Sequence, residues 1–349
     1  MKTILATGGL GFVGSHTCVA LLQKGYDVLV IDSLVNSSED ILKNLNKILQ
    51  KEENKQNSGT IHFVKGDIRD RKLLNSIFAE YKDKNEDIEA VIHFAGLKSV
   101  EESIYNPIKY WDVNISSTLN LLTVMDKYDC NCLVFSSSAT IYAPFYDKKL
   151  FENSPKKPIN PYGNSKLAIE TILNDVFFSQ EKWRIINLRY FNPVGAHNSG
   201  LIGENPTNNA NNLFPVINNI VSKKLDLLSI YGNDWPTKDG TCVRDFIHVM
   251  DLADAHIAGL KFLQKNKPQI ISLNIGTGVG KSVLEVVNTY SKMNNVEIPY
   301  HFVKRRKGDA SFIVADNSLA LKLLDWTPKK SLKEMCLDSF NFIKKINNL

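Results

Sequence analysis

The stretch Thr7-Gly8-Gly9-Leu10-Gly11-Phe12-Val13-Gly14 decides the fold that this sequence predicts. It follows a short apolar run at residues 4–6 and precedes a helical pattern of apolar residues that continues through residues 20–22. A second apolar run at residues 28–31 ends in Asp32. Strand, glycine loop, helix, strand and acid, in this order, are typical of a dinucleotide-binding βαβ unit. The stretch therefore predicts an α/β protein with a Rossmann-type doubly wound parallel sheet.

Each part of this unit has a physical role toward a dinucleotide. Gly9, Gly11 and Gly14 let the backbone turn tightly and approach a pyrophosphate, whose charge then faces a helix N-terminus. Asp32 lies about 20 residues further on, where an acid accepts hydrogen bonds from the adenosine ribose. The same acid would repel a 2'-phosphate, and Ser33 rather than an arginine follows it, so we predict NAD rather than NADP. The residues expected to bind NAD here are Gly8, Gly9, Gly11, Phe12, Val13, Gly14, Asp32, Ser33, Asn36 and Ser37.

Two further apolar runs, at residues 61–64 and 90–94, are predicted strands of the same sheet. Ligands of open parallel sheets gather at the carboxyl ends of the strands. His93, within the second run, is expected to be a packed histidine rather than a base. The residues expected to face the cofactor from these strand ends are Asp67, Ile68, Phe94, Ala95 and Gly96.

The segment Asn160-Pro-Tyr-Gly-Asn-Ser-Lys166 brings a tyrosine and a lysine together. If Asn160 caps a helix that begins at Pro161, then Tyr162 and Lys166 lie one turn apart on one face. A phenol, with a reference pKa of about 10, becomes a usable base near neutrality only if its anion gains roughly 4 kcal/mol. Lys166 and a cationic cofactor together would supply that stabilisation. The same spacing also occurs by chance on amphipathic helices, so the motif alone does not establish catalysis.

Three consecutive serines, at residues 136–138, lie at the end of a predicted strand about two dozen residues before Tyr162. A serine cluster is often only a loop. Beside a tyrosine and lysine pair, however, it suggests a hydroxyl that shares the substrate's proton with the phenol.

Composition restricts the class of protein. The 349 residues suffice for about two domains, and the hydrophobic content of 43% is ordinary for a globular protein. Five scattered cysteines argue against a disulfide framework and for a reducing compartment. The N-terminus reads directly into a strand, and no apolar run is long enough to span a membrane. The cysteines and the absence of such a run lead us to expect a cytoplasmic protein with no membrane partner. The net charge of only +5 favours no nucleic-acid partner.

Two motifs imitate other kinds of site. The stretch Gly276-Thr-Gly-Val-Gly-Lys-Ser282 resembles a nucleotide-triphosphate loop, but that motif requires a glycine where this chain has Ile275. His248, Asp251, Asp254 and His256 resemble a metal cluster. We expect Asp251 to cap the following helix instead, and helical spacing to separate the others. No metal site is predicted.

Taken together, the motifs resemble the extended short-chain dehydrogenase/reductases and, within them, the 4-epimerases of UDP-glucose and UDP-galactose. The resemblance covers nearly the whole chain. Its motifs are TGGLGFVG, Asp32, GDI at 66–68, HFAGLKSVEES at 93–103, FSSSATIY at 135–142, YGNSK at 162–166, YFNPVGA at 190–196, NNLFP at 211–215, SIYGNDWPTKDGT at 229–241, VRDFIHVMDLADAH at 243–256 and RRKGD at 305–309.

The resemblance implies roles for individual residues. Tyr162 would be the base, Lys166 its partner and a ribose ligand, and Ser138 the assisting hydroxyl. Lys98, Asn114 and Phe191 would lie near the nicotinamide. Without the resemblance, the basic run at 304–307 would be interpreted as a solvated surface segment. The residues that the resemblance assigns to the UDP moiety are Asn192, Asn212, Leu213, Ile230, Tyr231, Arg244, Arg306 and Asp309, with the arginines on the diphosphate.

The implied activity is a reversible interconversion of UDP-galactose and UDP-glucose by transient oxidation at C4, in a homodimer with bound NAD. Three alternatives differ from it. A sugar-nucleotide dehydratase needs an acid and a base after the serine, where this chain has residues 139–141, Ala-Thr-Ile. A non-catalytic NAD-binding protein has no use for the serine, tyrosine and lysine set. The resemblance places Ile313 where a bulky side chain would exclude N-acetylated UDP sugars and a small one would admit them. Isoleucine is of intermediate size, so their acceptance stays open.

The predicted organisation is a Rossmann domain at residues 1–190, to which a segment at about 240–260 returns, and a smaller C-terminal α/β UDP-sugar-binding domain at residues 191–349. Glu101 and Ala143 stand where the family usually has glycine, and the polar loop at 50–60 looks expanded. We expect these departures to alter local loops only.

Overall fold

The structure is a computed structural model that describes residues 2–50, 58–144, 148–206, 212–306 and 308–347. Most of the polar loop predicted at 50–60, the first residue of the NNLFP motif and Lys307 lie outside these ranges.

The first two thirds of the chain alternate between strands and helices, as the hydrophobic periodicity predicts. Asp112–Ser116 form a π-helical turn and Ala139–Ile141 a 3₁₀ turn. The strands are β1 (Thr3–Thr7), β2 (Asp27–Asp32), β3 (Ile61–Lys65), β4 (Ile88–His93), β5 (Cys132–Ser138), β6 (Arg184–Tyr190) and β7 (Asn192–Val194). The helices are α1 (Phe12–Gln23), α2 (Asp40–Gln50), α3 (Arg71–Asp83), α4 (Val100–Tyr105), α5 (Pro107–Trp111), α6 (Ser117–Lys127) and α7 (Pro161–Ser179).

The remaining elements lie between residues 213 and 347. The strands are β8 (Leu228–Tyr231), β9 (Val243–His248), β10 (Gln269–Ile275), β11 (Gly280–Ser282), β12 (Tyr300–Val303) and β13 (Phe312–Ile313). The helices are α8 (Leu213–Val221), α9 (Val249–Lys265), α10 (Val283–Asn294), α11 (Ser318–Leu323) and α12 (Leu332–Asn347).

A seven-stranded parallel sheet organises the molecule, in the order β10-β6-β5-β4-β1-β2-β3. After β3 the chain returns past β1 to form β4, so the strand order reverses between β1 and β4. In doubly wound sheets the ligand crevice lies at this point, beyond the carboxyl ends of the strands. The predicted Rossmann-type fold is confirmed.

The core lies on both faces of this sheet, because its strands are buried on each side. On one face, α1 and α9 pack together through Cys18, Leu21, Leu252 and Leu260. The other face is covered by α3, α6 and α7, with apolar residues of all three helices in one cluster. Hydrophobic burial on two faces holds the strand ends in fixed positions relative to one another.

The last third of the chain builds smaller sheets beside the large one. Strand β9 pairs with β7, β11 and β13, while β8 and β12 form a two-stranded parallel sheet. Helices α8, α10 and α12 pack around a cluster that includes Phe214 and Tyr290. However, β10 belongs to the large sheet and α9 packs on its face, so the chain crosses between the two parts more than once. The division into two domains at residue 190 stays a prediction.

All five cysteines, Cys18, Cys130, Cys132, Cys242 and Cys336, are free and buried. Among the described residues, no helix is both long and apolar enough to cross a membrane.

Candidate active site

The glycine loop between β1 and α1 leaves room for a ligand because it lacks side chains. Gly8 has a φ of +67°, which only glycine adopts freely, and a Cβ on Gly14 would overlap the Gly8 carbonyl oxygen. Gly11 is the N-cap of α1 and supplies no side-chain cap, and the first helical turn carries no acid. The N-terminal N–H groups and the positive end of this helix therefore face the loop without a negative side chain of their own, which fits a pyrophosphate.

Asp32, at the carboxyl end of β2, is buried and firmly held. Its carboxylate accepts hydrogen bonds from the backbone N–H groups of Leu10 (3.0 Å) and Leu34 (2.9 Å) and from the Ser37 hydroxyl (2.8 Å). The bond from Leu10 fixes the acid against the glycine loop, as a ribose ligand beside a pyrophosphate site requires. Ser33 and Asn36 lie exposed next to it. These residues fit NAD, and their contacts with it stay a prediction.

The end of β4 lies directly beside the glycine loop. A Cβ on Gly8 would come within 2.7 Å of the Ala95 nitrogen, and one on Gly96 within 3.0 Å of Asn114 Oδ1. Asn114 accepts a hydrogen bond from the Leu97 N–H (2.8 Å) and donates one to the Ser165 hydroxyl (2.9 Å). It lies in the π-helical turn, a feature that often marks functional sites. Asn114 thus joins the predicted nicotinamide end of the groove to α7.

Two residues predicted from the end of β3 have mainly local partners. Asp67 binds the Arg69 guanidinium (2.7 Å) and backbone N–H (2.9 Å), and the arginine holds the pKa of this carboxyl below its usual range. Ile68 is buried in the core beneath the sheet. Both lie at the predicted strand end, but the Asp67 carboxylate is already engaged by an arginine.

The tyrosine and lysine lie on one helix, as predicted. The Asn160 side chain accepts a hydrogen bond from the Gly163 N–H (2.8 Å), and Pro161 is the first residue of α7. Lys166 Nζ lies 6.0 Å from the centre of the Tyr162 ring and donates to the Ser136 carbonyl (2.7 Å). The ammonium is therefore positioned by its hydrogen bond to β5 and not by a direct hydrogen bond to the phenol.

Ser138, the last residue of β5, faces the phenol. Its oxygen accepts hydrogen bonds from the Thr140 hydroxyl (2.9 Å) and N–H (3.2 Å), which leaves its own hydrogen to be donated elsewhere. Burial raises the pKa of Tyr162, while the hydrogen bond with Ser138 and the charge of Lys98 lower it. Thr140 was not among the predicted site residues, because a hydroxyl two residues from Ser138 leaves no recognisable motif.

The pKa of Lys166 shifts in the opposite direction. Burial lowers the pKa of Lys166 to about 8, against a smaller upward effect of Glu170. Burial thus favours the neutral form of both groups and moves their pKa values apart, with the ammonium the more acidic of the two. A phenolate at Tyr162 therefore requires added positive charge: Lys98 supplies part of it, and a cationic cofactor in the groove would supply more.

Lys98 forms a contact that sequence reasoning missed. Its Nζ forms an ion pair with Glu204 Oε1 at 2.8 Å, and the Glu204 side chain is only 10% exposed. The same ammonium lies 5.7 Å from the centre of the Phe12 ring, at the start of α1. Glu204 therefore joins the segment between β7 and α8 to the cofactor groove between the glycine loop and Tyr162. No motif indicates this, because 106 residues separate the two partners.

Four of the residues assigned to UDP lie together in a cluster. The Arg306 guanidinium stacks on Tyr231, 3.8 Å from the ring centre, and the Arg306 carbonyl accepts from the Asp309 N–H (3.2 Å). Asp309 in turn forms an ion pair with Arg244, whose guanidinium also donates to the Ala310 carbonyl (2.9 Å). Two guanidinium groups near one another provide the planar donors that phosphate oxygens prefer.

The other assigned residues surround this cluster less closely. Asn192 begins β7 and pairs with Phe246 of β9. Asn212 precedes α8 without capping it, Leu213 begins that helix, and Ile230 is buried in β8. Phe191 is buried, and Ile313 packs with it in one small apolar cluster. The roles of all these residues toward a ligand stay predictions.

The motifs set aside in the sequence have structural roles. His93 is buried between the Thr7 (2.7 Å) and Thr118 (3.0 Å) hydroxyls, and burial lowers its pKa to about 3, which confirms a packed histidine. The loop that imitates a phosphate-binding motif donates the N–H groups of Thr277 (2.8 Å) and Gly278 (2.9 Å) to the buried carboxylate of Asp245. A side chain of the protein thus occupies the position of a phosphate.

One expectation about the imitated metal cluster was wrong. Asp251 does not cap α9; His248 does, by accepting from the Met250 N–H (3.1 Å). Asp251 instead accepts from the N–H groups of Lys329 (3.0 Å) and Lys330 (2.8 Å), because α9 packs against that later loop. Within the described ranges, no histidine, cysteine and carboxylate side chains are grouped so that they could hold a metal ion.

The turn after Ser138 contains no acid or base. Ala139–Ile141 form the 3₁₀ turn, and Ile141 is buried. Glu101 lies in the first turn of α4, and the Ala143 N–H donates to the Pro155 carbonyl (3.0 Å).

Comparisons with known proteins agree with this geometry. The family model described as GDP-mannose 4,6 dehydratase matches residues 5–339. A UDP-glucose 4-epimerase of Bacillus subtilis is 45% identical over 97% of this chain and 96% of its own. The crystal structure of the Bifidobacterium longum UDP-glucose 4-epimerase in complex with NAD+ and UDP has a TM-score of 0.91 at 42% identity and covers 100% of both chains. The Stenotrophomonas maltophila UDP-glucose-4-epimerase, with bound NAD and formylated UDP-arabinopyranose, has a TM-score of 0.92 at 40% identity and covers 100% of this chain and 99% of its own. The chain therefore belongs to the GDP-mannose 4,6 dehydratase family of extended short-chain dehydrogenase/reductases and, within it, to the UDP-glucose 4-epimerases.

Proposed function

We propose that the chain interconverts UDP-galactose and UDP-glucose by transient oxidation at C4 of the sugar, with NAD held on the protein. The observation that carries this is the arrangement at the end of the cofactor groove, where Tyr162 faces Ser138 and Lys166 lies one helical turn away. The similarity to UDP-glucose 4-epimerases over nearly the whole chain supports the same reaction.

The residues of the chain handle the proton of the reaction. Tyr162, as phenolate, takes the proton from the sugar 4-hydroxyl, and Ser138 donates a hydrogen bond to the oxygens that share it. Lys166 stabilises the phenolate by its charge, held in place by the Ser136 carbonyl. Returning the proton after the sugar has turned completes the cycle, so the protein ends in its starting protonation state.

Bound NAD would supply the acceptor for the hydride from C4 and, once reduced, the donor that returns it to the same carbon. The glycine loop, Asp32 and the Lys98–Glu204 ion pair would hold it. Because the reaction has no net redox change, a cofactor that stays bound serves every turnover.

Epimerisation requires a site that is firm on the nucleotide and loose on the sugar. The assigned ligands of the UDP moiety include the arginine pair of Arg244 and Arg306, whereas no acid or base follows Ser138 in the turn at 139–141. A 4-keto sugar anchored by its diphosphate can rotate and present its other face, and nothing in that turn promotes elimination of water.

The assembly we propose is a homodimer built on α4, α5 and α7. Tyr105 is 76% and Ile108 83% exposed, which is unusual for large apolar side chains. Beside them, Trp111, Ile115, Ala168 and Ile172 line an open apolar groove. A second copy of the same surface would cover it. The oligomeric state in solution tests this.

A cytoplasmic location is part of the same proposal. It is supported by five unpaired cysteines, which are typical of proteins from a reducing compartment.

The test is to supply the purified chain with UDP-galactose and no added cofactor, and to measure UDP-glucose with a coupled dehydrogenase. We expect UDP-glucose to form. Failure both without and with added NAD would contradict the proposed substrate pair, whereas activity only with added NAD would show that the cofactor is loosely held.

A further inference from the structure

The three serines of β5 form a ladder with three residues of α7. Tyr162, Lys166 and Glu170 follow one another at four-residue intervals along one helical face. Ser138 faces Tyr162, the Ser136 carbonyl accepts from Lys166 (2.7 Å), and the Ser137 hydroxyl donates to Glu170 Oε1 (2.5 Å). Only the first two contacts belong to the mechanism described above. The third, between Ser137 and Glu170, has no role there.

Glu170 has a second partner besides Ser137. Its two carboxylate oxygens accept from Nε (2.9 Å) and Nη2 (2.7 Å) of Arg189, a bidentate ion pair. The Arg189 side chain is 3% exposed and that of Glu170 4%. This ion pair lies one helical turn beyond Lys166 and joins α7 to β6.

Arg189 extends the connection to the rest of the site. Its Nη1 donates to the Tyr142 hydroxyl (2.8 Å) and to the Glu152 carbonyl (2.8 Å). Tyr142 follows the turn that begins after Ser138, and its hydroxyl donates to Asn274 of β10 (2.6 Å). Along β6, Arg189 lies two residues before Phe191. The guanidinium thus contacts α7 and the segment that follows Ser138 directly, and it reaches β5 through Glu170 and Ser137.

We propose that Glu170 and Arg189 are positioning residues of the epimerase site: together with Ser137 they fix the register of α7 on β5 and thereby hold the Tyr162 phenol against Ser138. The proposal rests on the proposed function for its kinetic consequence. Its structural content, the position of the phenol, is independent of that function.

Stability alone does not account for this ion pair. Removing two charges from water is costly, and well-packed apolar residues in place of a buried ion pair often leave stability unchanged or raise it. A bidentate ion pair is directional, whereas apolar packing is not. Its two parallel hydrogen bonds form in only one relative placement of helix and strand. Catalysis depends on such placement, since a displacement of about 1 Å can cost about a hundredfold in rate.

The test replaces both charges at once, with Glu170→Met and Arg189→Met in one chain, so that no unpaired charge is left buried. We expect kcat with UDP-galactose to fall about tenfold to a hundredfold. KM, the content of bound NAD and the melting temperature should stay close to the wild-type values. A fold-only role predicts the reverse, a lower melting temperature with kcat per folded molecule unchanged, and that result would overturn the proposal.

A matched control is the double change Lys281→Met and Glu285→Met, which removes a partly exposed ion pair (2.6 Å) between β11 and the first turn of α10. It should leave kcat unchanged. If the buried double variant does not fold, Ser137→Ala provides the second test, since it removes one hydrogen bond and keeps the ion pair. We expect a smaller loss of kcat, about threefold to tenfold, and an unchanged kcat would contradict the proposal.

A crystal structure of the folded variant provides a readout that does not need turnover. The phenol of Tyr162 should move away from Ser138 as α7 shifts on β5. An unmoved phenol would overturn the proposal even in an active enzyme. A moved phenol in a chain whose wild type converts no UDP-galactose would support the positioning role and contradict only the proposed function.

Discussion

The cofactor side of the site and the nucleotide-sugar side are built in different ways. On the cofactor side, the main features are backbone: a glycine loop, an uncapped helix N-terminus and an acid fixed by the Leu10 N–H. On the other side they are side chains that hold one another, such as Arg306 on Tyr231 and Arg244 with Asp309. The first arrangement is part of the large sheet and cannot change without it. The second can exchange its internal partners for a ligand.

This difference matches the different demands of the two ligands. NAD has to stay bound through every turnover, and a groove made from buried strand ends needs no rearrangement to hold it. The sugar nucleotide has to enter and leave, and arginines that are paired with an aspartate or stacked on a tyrosine can be transferred to phosphate oxygens at little cost. Tyr162 and Ser138 lie where the two sides meet. Four changes test this comparison.

The largest effect is expected where the two sides meet. Tyr162→Phe removes the base and leaves the ring, so kcat should fall about 10² to 10⁴-fold while bound NAD is retained. Steady-state kinetics measures kcat, and the absorbance of cofactor released from the protein measures the bound NAD. The matched control is Tyr128→Phe, because that hydroxyl donates to the Asn75 carbonyl (3.2 Å), which is not a predicted site residue. A nearly normal rate for Tyr162→Phe would remove the phenol from the mechanism.

The next effect concerns the nucleotide side alone. Arg306→Met keeps an apolar stem over Tyr231 and loses the guanidinium. Hydrogen bonds to charged groups contribute about 1.5–3 kcal/mol each, so KM for UDP-galactose should rise about tenfold to a hundredfold with little change in kcat. Arg305→Met is the matched control, since that neighbouring arginine stacks on Trp235 (4.0 Å) and binds Asp234 (2.7 Å) instead. Equal effects of the two variants would contradict the assignment.

The third change alters the pH dependence rather than the maximal rate. The Tyr162 phenol must lose its proton to give a phenolate beside the Lys166 ammonium, so kcat/KM should increase with pH through the pKa of that phenol. With Lys166→Met, the phenol, whose pKa is raised by burial, has to ionise alone. The acid limb of the profile should therefore move upward by about one unit or more. A limb at the wild-type position would show that Lys166 does not stabilise the phenolate.

The smallest effect is expected at the contact that joins the two sides. Glu204→Gln removes the charge that pairs with the exposed ammonium of Lys98. Exposed ion pairs contribute about 0–1 kcal/mol, so release of bound NAD should be about twofold to fivefold faster. Exchange with labelled NAD measures this without any sugar. Glu80→Gln, which breaks the exposed pair with Lys84, is the control. Slower release from the Glu204 variant would contradict a holding role.

The sequence was most informative where function depends on local rules. Asn160, Pro161, Tyr162 and Lys166 were predicted correctly as a capped helix start because each rule acts within one turn. The glycine loop and Asp32 were likewise predicted as one βαβ unit, since their spacing is fixed by the length of one helix.

Contacts between distant segments could not be predicted. Glu204 meets Lys98 across 106 residues, and Glu170 meets Arg189 only because α7 packs beside β6. Asp251 was wrongly expected to cap α9 for the same reason: its partners are 78 and 79 residues away. At Asp251, tertiary packing overrode the local preference of an aspartate for capping a helix, and the sequence pattern does not reveal tertiary packing.

The most direct test of the account is the fate of the hydrogen at C4. We would supply UDP-galactose deuterated at C4 to the protein in ordinary water and locate the label in the product by NMR. If Tyr162 handles only the hydroxyl proton and the hydride stays in the site, the deuterium should be found at C4 of UDP-glucose. Deuterium lost to water, or transferred to another carbon, would contradict reversible oxidation at C4.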